Sequence, residues 1–302
     1  MTPSLFRVAT VPAVGATVVL DGAEGRHAGN ALRVRPGEEI RVGDGRGVVA
    51  ECVVTTTTSG VVEAEVTTRT DVPRSFPQVT IVQGLPKSER SELAVELATE
   101  AGADRIIPWQ AERCVSRWTG PKVDKGRSKW ANAARAAAKQ SRRAHEPEIG
   151  DLLDSAALAR LVETETAAGA RVLVLHEDGA IPFADAVTAG PTDGGPLGSP
   201  TAETVALPAD GSEGSTRPDA GPDADAKGRM SHVVVVVGPE GGVSDAELDA
   251  LTGAGARTVV LGPEVLRTST AAAVALGALG VLTPRWAGAG TTLGPTAPEH
   301  GK

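Results

Sequence analysis

The chain has 302 residues, of which 41% are hydrophobic and 23% charged, and its net charge is −8. This length favours two folding units, and the composition excludes a fibrous, wholly disordered or membrane protein. Two cysteines exclude a disulfide framework and a thiolate metal site, and 2% aromatic residues argue against a single-strand binder built on aromatic stacking.

The amino-terminal part of the chain, residues 1–73, is predicted to form a small β-barrel. Pro3, Arg7 and Pro12 interrupt its start before a signal sequence or membrane anchor can form, so we expect a cytoplasmic protein. Short β-branched segments lie at 18–20, 38–44, 47–54 and 61–68, separated by turn residues. A helical segment at 24–34 interrupts them, and the prolines of 71–77 predict a linker.

The remainder, residues 74–302, alternates between strand and helix patterns. Strands are predicted at 78–84, 105–109, 171–177, 231–237 and 257–262. Helices are predicted at 88–102, 125–144, 244–255 and 269–282. Near-continuous valine runs such as Val233–Val237 are typical of parallel strands that are covered on both faces. The sequence therefore predicts an α/β domain.

Two segments of this domain have a different composition. Residues 187–228 are rich in Gly, Pro, Ser, Thr and Asp, with seven acidic and two basic residues. Such a composition buries too little to fold, so we expect a disordered acidic insertion there and a flexible tail from residue 287.

The charge is divided unevenly along the chain. Residues 1–150 carry 21 basic and 18 acidic side chains, whereas residues 151–302 carry 9 and 20. Between Asp104 and Arg143 there are 11 basic and 3 acidic side chains. A local excess of this size is what a polyphosphate partner such as RNA requires, although a solvated face is the ordinary alternative.

The most specific local pattern is a buried strand that runs into the loop GPEGG. Ser244 and Glu247 follow at the spacing of an N-terminal capping box. Glycines at the carboxyl end of a parallel strand let a ligand approach the backbone. From the glycines alone, a tight turn that binds no ligand is about equally frequent. No Gly-Lys-Ser/Thr or GxGxxG pattern follows, so neither a P-loop nor dinucleotide binding is supported.

Two further strand ends are expected near this loop. A second glycine turn follows Val260, and His176 and Glu177 follow the strand at 171–177. On composition alone, polar residues such as His176 and Glu177 at the end of a strand more often face solvent than bind a ligand. Together the three ends could surround one small molecule at a switch point of the sheet.

Several segments carry a resemblance to a known family. They are QGLPKSERSELAVELATEAGADRIIPWQAERCVSRW, KWANAARAAAKQSRR, GPEGG with VSDAEL, and LGPEVLRTSTAA. Together they resemble the 16S ribosomal RNA (uracil-N3)-methyltransferase family of the SPOUT superfamily, over nearly the whole chain outside the insertion and tail. The resemblance implies a PUA-like β-barrel followed by a trefoil-knotted α/β domain, and a homodimer without a metal.

The resemblance also implies the reaction and its residues. The expected cofactor is S-adenosyl-L-methionine, and the expected substrate is N3 of a uridine, conventional position 1498, in the 16S rRNA of the 30S subunit. The implied cofactor-binding residues are Leu175, His176, Gly238, Pro239, Glu240, Gly241, Gly242, Leu261, Gly262, Val265, Leu266, Arg267, Thr268 and Thr270. The RNA-binding candidates are Arg26, Arg33, Arg35, Lys122, Lys125, Arg127, Lys129, Gln140 and Arg143.

The reaction needs the N3 proton of uridine to leave before a methyl group can be accepted. Arg143 or Arg267 could stabilise the resulting anion, or could equally bind phosphate or the cofactor carboxylate. Glu240 could accept the proton or organise its loop. A non-catalytic ribosome-assembly factor, a SPOUT enzyme that acts on another RNA base, and a nucleotide-dependent oxidoreductase are the alternatives.

The sequence departs from the family pattern at two sites. The family commonly has RTETA where this chain has Arg267-Thr268-Ser269-Thr270-Ala271, so a carboxylate is replaced by Ser269, which cannot serve as a base. The family often has QSGR where this chain has Gln140-Ser141-Arg142-Arg143, so Arg142 replaces a glycine.

Overall fold

The computed structural model describes residues 3–87, 90–189 and 230–287, which form two units with separate hydrophobic cores. Most of the expected acidic insertion and nearly all of the expected tail lie outside the described residues. Val187 is an exception that corrects the expected start of the insertion. It belongs to a helix and is 5% exposed, because its side chain packs into the core.

The first unit is a mixed five-stranded sheet. Its strands are β1 (Leu5–Arg7), β2 (Thr17–Leu20), β3 (Glu39–Gly43), β4 (Val48–Thr58) and β5 (Val61–Asp71), in the order β1-β3-β4-β5-β2. The pair β1 and β3 is parallel, and the other pairs are antiparallel. Alternate residues such as Val18 and Leu20 point inward and form the core with Phe6 and Ile40.

The helical interruption in this unit is shorter than the sequence predicts. Between β2 and β3 the chain forms α1 (Gly22–Arg26) and a π-helical turn (His27–Ala31), rather than one helix over residues 24–34. Arg33 then takes a φ of +54°, which lies outside the right-handed helical region and ends the helix.

The second unit is a parallel sheet with helices around it. Its strands are β6 (Gln78–Gly84), β7 (Arg105–Gln110), β8 (Glu148–Ile149), β9 (Leu153–Asp154), β10 (Arg171–Leu175), β11 (Ile181–Pro182), β12 (His232–Val237) and β13 (Arg257–Val260). Its helices are α2 (Ser91–Glu100), α3 (Pro121–Gln140), α4 (Ser155–Ala167), α5 (Phe183–Thr188), α6 (Asp245–Gly253) and α7 (Thr268–Leu282), followed by a 3-10 turn (Pro284–Trp286). Of these elements, α4, α5 and the two-residue strands were not predicted from the sequence.

The strand order is β11-β13-β10-β12-β6-β7-β8, with β9 also paired to β7, and all pairs are parallel. The central strand β12 contains Val233–Val237, each at most 2% exposed, as the valine run predicts.

The last strand, β13, lies between two strands that are consecutive in the chain. Val259 pairs with Leu175 of β10 on one side and with Ile181 of β11 on the other. Residues 176–180 therefore arch across β13, and the N–H of His176 donates to the carbonyl of Val259 at 3.0 Å. A side chain at Gly179 would overlap the backbone of β13, so this close crossing requires glycine. A trefoil knot requires one chain segment to pass across another in this way, because the later strand must be inserted behind a loop that the earlier chain forms.

The two units meet at a surface that we call the seam, formed by residues 139–146, which include the last turn of α3 and the segment after it, and the adjoining residues of the first unit. Lys139 pairs with Glu24 at 2.7 Å, and Arg7 pairs with Glu146 at 3.0 Å. The N–H of Gly47 donates to the carbonyl of Ala144 at 3.1 Å. Ion pairs and a backbone hydrogen bond thus fix the end of α3 and the segment after it against the first unit.

Candidate active site

A cavity of about 490 Å³, open to solvent on one side, lies at the carboxyl ends of β10, β12 and β13. Its volume falls within the range of small-molecule sites. The cavity is lined by Arg90, Arg113, Leu175, His176, Glu177, Val237, Gly238, Pro239, Glu240, Gly241, Gly242, Val243, Val260, Leu261, Gly262, Pro263, Glu264, Val265, Leu266, Arg267, Thr268 and Ala271. Three loops that are far apart in sequence therefore meet at one site, as expected for the switch point of a parallel sheet.

The GPEGG loop after β12 needs its glycines for two different reasons. Gly242 has a φ of +74°, in the left-handed region that disfavours side chains. A Cβ atom on Gly241 would lie 2.8 Å from the carbonyl oxygen of Arg113, in the loop after β7. Part of the glycine pattern thus serves loop packing rather than ligand approach.

Glu247 connects this loop to two other elements. One carboxylate oxygen accepts hydrogen bonds from the Glu112 N–H at 2.8 Å and the Ser155 hydroxyl at 2.5 Å. The other accepts from the backbone N–H and hydroxyl of Ser244, which completes the predicted capping box. Burial alone would raise the pKa of Glu247, but the hydrogen bonds from Ser155, Ser244 and Glu112 outweigh it and lower the pKa.

Charged side chains of both signs line the cavity. Arg90, Arg113 and Arg267 supply positive charge, whereas Glu177, Glu240 and Glu264 supply negative charge. Glu240 accepts a hydrogen bond from the Lys87 N–H at 3.1 Å, so one of its oxygens already organises the loop after β6. This arrangement suits a ligand or ligand pair that carries both a cation and an anion.

Most residues of the implied cofactor set line the cavity, and Thr270 is the exception. Its hydroxyl instead donates to the carbonyl of Arg267 at 3.1 Å, within the first turn of α7. Thr270 therefore stabilises the start of the helix, and its expected contact with the ligand stays a prediction. Ligand binding by the other residues stays a prediction.

Arg143 lies at the seam and does not line the cavity. Its guanidinium donates to the carbonyl of Thr99 at 2.7 Å and lies 3.9 Å from the carboxylate of Asp104. Burial lowers the pKa of Arg143 to about 10, against the opposing effect of Asp104. Within this chain the Arg143 side chain is engaged with buried groups, and its expected catalytic and RNA-binding roles stay predictions.

The other RNA candidates lie at the surface in different ways. Arg26, Arg33, Arg35, Lys122, Lys125 and Gln140 are exposed. Arg127 instead pairs with Asp151 at 3.0 Å and Lys129 with Glu92 at 3.0 Å. The structure therefore leaves Lys122 and Lys125 as the α3 cations without a side-chain partner among the described residues.

Arg90 and Arg113 are the two cavity arginines that the sequence reasoning missed. Arg90 precedes α2 and Arg113 follows β7, so both extend from carboxyl ends of strands in the same sheet. The rule that selected the ends of β10, β12 and β13 applies equally to β6 and β7. Applied to all five strands, it would have found both arginines.

The described residues show neither a cluster of metal ligands nor a membrane-spanning helix. The described ranges contain no group of three or more His, Cys, Asp or Glu side chains that could hold a metal ion. Of the helices that the structure describes, none has the length and hydrophobicity to cross a bilayer.

Comparisons with known proteins identify both units. A family model described as "RNA methyltransferase domain" matches residues 73–219 and 212–280, and one described as "RNA methyltransferase PUA domain" matches residues 20–66. The chain is 47% identical to ribosomal RNA small subunit methyltransferase E of Mycobacterium tuberculosis over 286 residues, 95% of this chain and 94% of the relative. It is 29% identical to the Bacillus subtilis protein of the same name, over 88% of this chain and 91% of that relative.

A solved structure supports the fold. The crystal structure of ribosomal RNA small subunit methyltransferase E from Neisseria gonorrhoeae bound to S-adenosyl methionine is 24% identical, with a TM-score of 0.70, covering 93% of this chain and 98% of that one. The fold is accordingly a SPOUT-type α/β domain preceded by a PUA-like domain. The chain therefore belongs to the RNA methyltransferase family that includes ribosomal RNA small subunit methyltransferase E.

Proposed function

We propose that this protein transfers a methyl group from S-adenosyl-L-methionine to N3 of a uridine in 16S rRNA, at conventional position 1498. Family membership over 95% of the chain supports the reaction class. The observation that carries the proposal is the cavity where the loops after β10, β12 and β13 meet. A binding module without chemistry has no need of such a glycine-lined cavity.

The cavity fits the proposed cofactor. Its volume of about 490 Å³ is sufficient for a nucleoside with an amino-acid side arm. A Cβ atom on Gly262 would meet nothing closer than a Glu264 carboxylate oxygen at 3.8 Å, so the absence of a side chain leaves open space there. The backbone at Gly238, Gly242, Leu261 and Gly262 would hold the adenosine, and the glutamates would favour the cationic end.

The residues at the cavity have separate tasks in the proposed reaction. When bound, the cofactor supplies a methyl group on a positively charged sulfur. Arg267 lines the cavity at the start of α7, where its charge would favour the N3 anion of uridine over the neutral base. Glu240 keeps one oxygen on the Lys87 N–H and would accept the N3 proton at the other.

The RNA would approach across the basic surface of α3. Lys122 and Lys125 are exposed there, and Arg26, Arg33 and Arg35 are exposed on the first unit. Such cations bind phosphates without reading the sequence, so they would position the 30S subunit and leave the choice of base to the cavity. We further propose that the protein is cytoplasmic and acts as a homodimer.

The test is methylation of defined ribosomal substrates. Purified protein and labelled S-adenosylmethionine are incubated with undermethylated 30S subunits and, separately, with free 16S rRNA, and the labelled base is mapped. Label at N3 of the expected uridine supports the proposal. Label at another base would identify a different target, and RNA binding without label would indicate a non-catalytic assembly factor.

A further inference from the structure

The loop after β7 presents Arg113 to the cavity in a fixed position. Its Nη1 donates to the carbonyl of Val243 at 3.3 Å, and its backbone contacts the GPEGG loop at Gly241. A guanidinium has five N–H donors, and this is the one hydrogen bond that the described residues show for the Arg113 side chain. The remaining donors are therefore available to an acceptor in the cavity.

The position of Arg113 depends on the buried carboxylate of Glu247. That carboxylate accepts the N–H of Glu112, the residue before Arg113, at 2.8 Å. The same carboxylate holds Ser155 at the start of α4 and Ser244 at the start of α6. Since Glu247 is 5% exposed, it holds these elements together with little competition from water.

We propose that Arg113 binds an oxyanion group of the reactants, a phosphate of the RNA or the carboxylate of the cofactor, and that Glu247 is the positioning residue that holds it there. The inference rests on the proposed function. Arg113 is suited to this task because a guanidinium matches the two oxygens of a phosphate or carboxylate. Glu247 touches neither reactant and acts through the backbone of the loop.

The first test separates the two sources of the oxyanion. Arg113→Ala is compared with Arg117→Ala, which removes the same charge from the same loop, outside the cavity lining, where it donates to the Glu112 carbonyl at 2.7 Å. Calorimetry with S-adenosylhomocysteine reports on the carboxylate, and RNA binding over a range of salt concentrations reports on a phosphate. We expect Arg113→Ala to weaken one of these affinities about 10-fold or more and Arg117→Ala to weaken neither comparably.

The second test asks whether Glu247 acts through Arg113. Glu247→Gln and the milder Ser155→Ala are each made in the native and the Arg113→Ala backgrounds. In the native background they should weaken the same affinity as Arg113→Ala does, and in the Arg113→Ala background this effect should disappear. Asp154→Ala removes a neighbouring hydrogen bond, to the Ala157 N–H at 2.7 Å, and controls for a general loss of stability.

The outcomes are distinct. Unchanged affinity for both ligands in Arg113→Ala, or an equal loss in Arg117→Ala, would overturn the assignment of Arg113. If Glu247→Gln and Ser155→Ala each weaken the affinity as much in the Arg113→Ala background as in the native one, the positioning role of Glu247 is overturned. The native protein is measured first for methyl transfer to 30S subunits, so a failure of the proposed function is seen separately from a failure of this inference.

Discussion

At the scale of single residues, the glycines of the cavity are not equivalent. A Cβ atom at Gly241 would lie 2.8 Å from the Arg113 carbonyl oxygen, whereas one at Gly262 would meet only a Glu264 carboxylate oxygen at an ordinary contact distance of 3.8 Å. Substitution at Gly241 would therefore perturb the protein as well as the site, and Gly262 offers the cleaner test.

We expect Gly262→Val to weaken binding of S-adenosylhomocysteine at least 10-fold, because its side chain occupies ligand space, with little change in the melting temperature. Gly253→Val is the matched control, since a Cβ atom there meets nothing within 4 Å and the residue is outside the cavity lining. Calorimetry and thermal melts measure the two effects. Equal affinity in both variants would remove Gly262 from the cofactor site.

Arg142 occupies a backbone position that favours glycine. It has a φ of +57° and follows α3 in a Schellman motif, in which the Arg143 N–H donates to the Ala138 carbonyl at 2.8 Å and the Arg142 N–H to the Lys139 carbonyl at 3.1 Å. The left-handed conformation costs a residue with a side chain about 1–2 kcal/mol. Glycine avoids this cost, but its greater conformational entropy in the unfolded chain offsets part of the stability gained.

We therefore expect Arg142→Gly to leave the free energy of unfolding unchanged or to raise it by about 1 kcal/mol. Ala136→Gly, at an exposed position inside α3, should instead lower it by about 1 kcal/mol. Urea denaturation measures both. If Arg142→Gly is as destabilising as the control, the interaction that Arg142 makes outweighs the backbone strain.

Glu247 makes the stability of the cavity wall depend on pH. Because the pKa of Glu247 is lower in the folded chain, its carboxylate stabilises the fold above the pKa of the unfolded state, and this contribution is lost as pH falls through the folded pKa. The difference in unfolding free energy between the native protein and Glu247→Gln should therefore be largest near neutral pH and shrink in acid. Urea denaturation at several pH values measures it, and a constant difference would contradict this prediction.

At the scale of elements, α3 carries cations of two kinds. Lys122 and Lys125 are exposed, whereas Arg127 and Lys129 are paired with acidic side chains. We expect the double change Lys122→Ala and Lys125→Ala to weaken RNA binding and to reduce the log–log salt slope by about 0.7–1 per lost contact, with turnover at saturating RNA nearly intact. Arg160→Ala, an exposed cation of α4, is the control, and an equal loss there would indicate a diffuse electrostatic effect.

Local pattern predicted the elements that build the cavity but not the contacts between them. The run Val233–Val237, the glycine loop and the Ser244–Glu247 capping box each have a signal within a few neighbouring residues, and the structure contains all three. The hydrogen bond from Glu112 to Glu247 joins residues 135 positions apart, so no local periodicity reports it. The contacts of Arg143 were missed for the same reason, because its partners Thr99 and Asp104 lie in other elements.

The position of β13 is the clearest limit of the sequence patterns. Hydrophobic periodicity indicated a strand at 257–262 but carries no information on its neighbours, and insertion between β10 and β11 runs against the usual preference for unknotted connections. Family resemblance, rather than periodicity, supplied the knotted fold.

At the scale of the whole molecule, one helix has an apolar face without a partner in the described residues. The sequence of α7 contains no charged residue, and Val274, Val281 and Leu282 are 45%, 77% and 38% exposed. Val281 and Leu282 follow Val274 by seven and eight positions, so the three share one side of the helix. Trp286, which lies against Gly280 of the same helix, is 46% exposed. A helix that is apolar all round is normally buried. In the proposed homodimer, the second copy of the chain would cover this exposed side of α7.

We expect the protein to sediment as a dimer and Val281→Asp to shift it to a monomer, because an unpaired carboxylate in an apolar interface is strongly unfavourable. Val14→Asp is the control, since Val14 is 60% exposed on the first unit and distant in sequence from α7. Methyl transfer by each variant, measured at the same concentrations, then asks whether the reaction needs the dimer. A native protein that is monomeric and fully active at working concentration would contradict both the dimer and its role, whereas loss of activity only in the monomeric variant would tie the cavity to the interface.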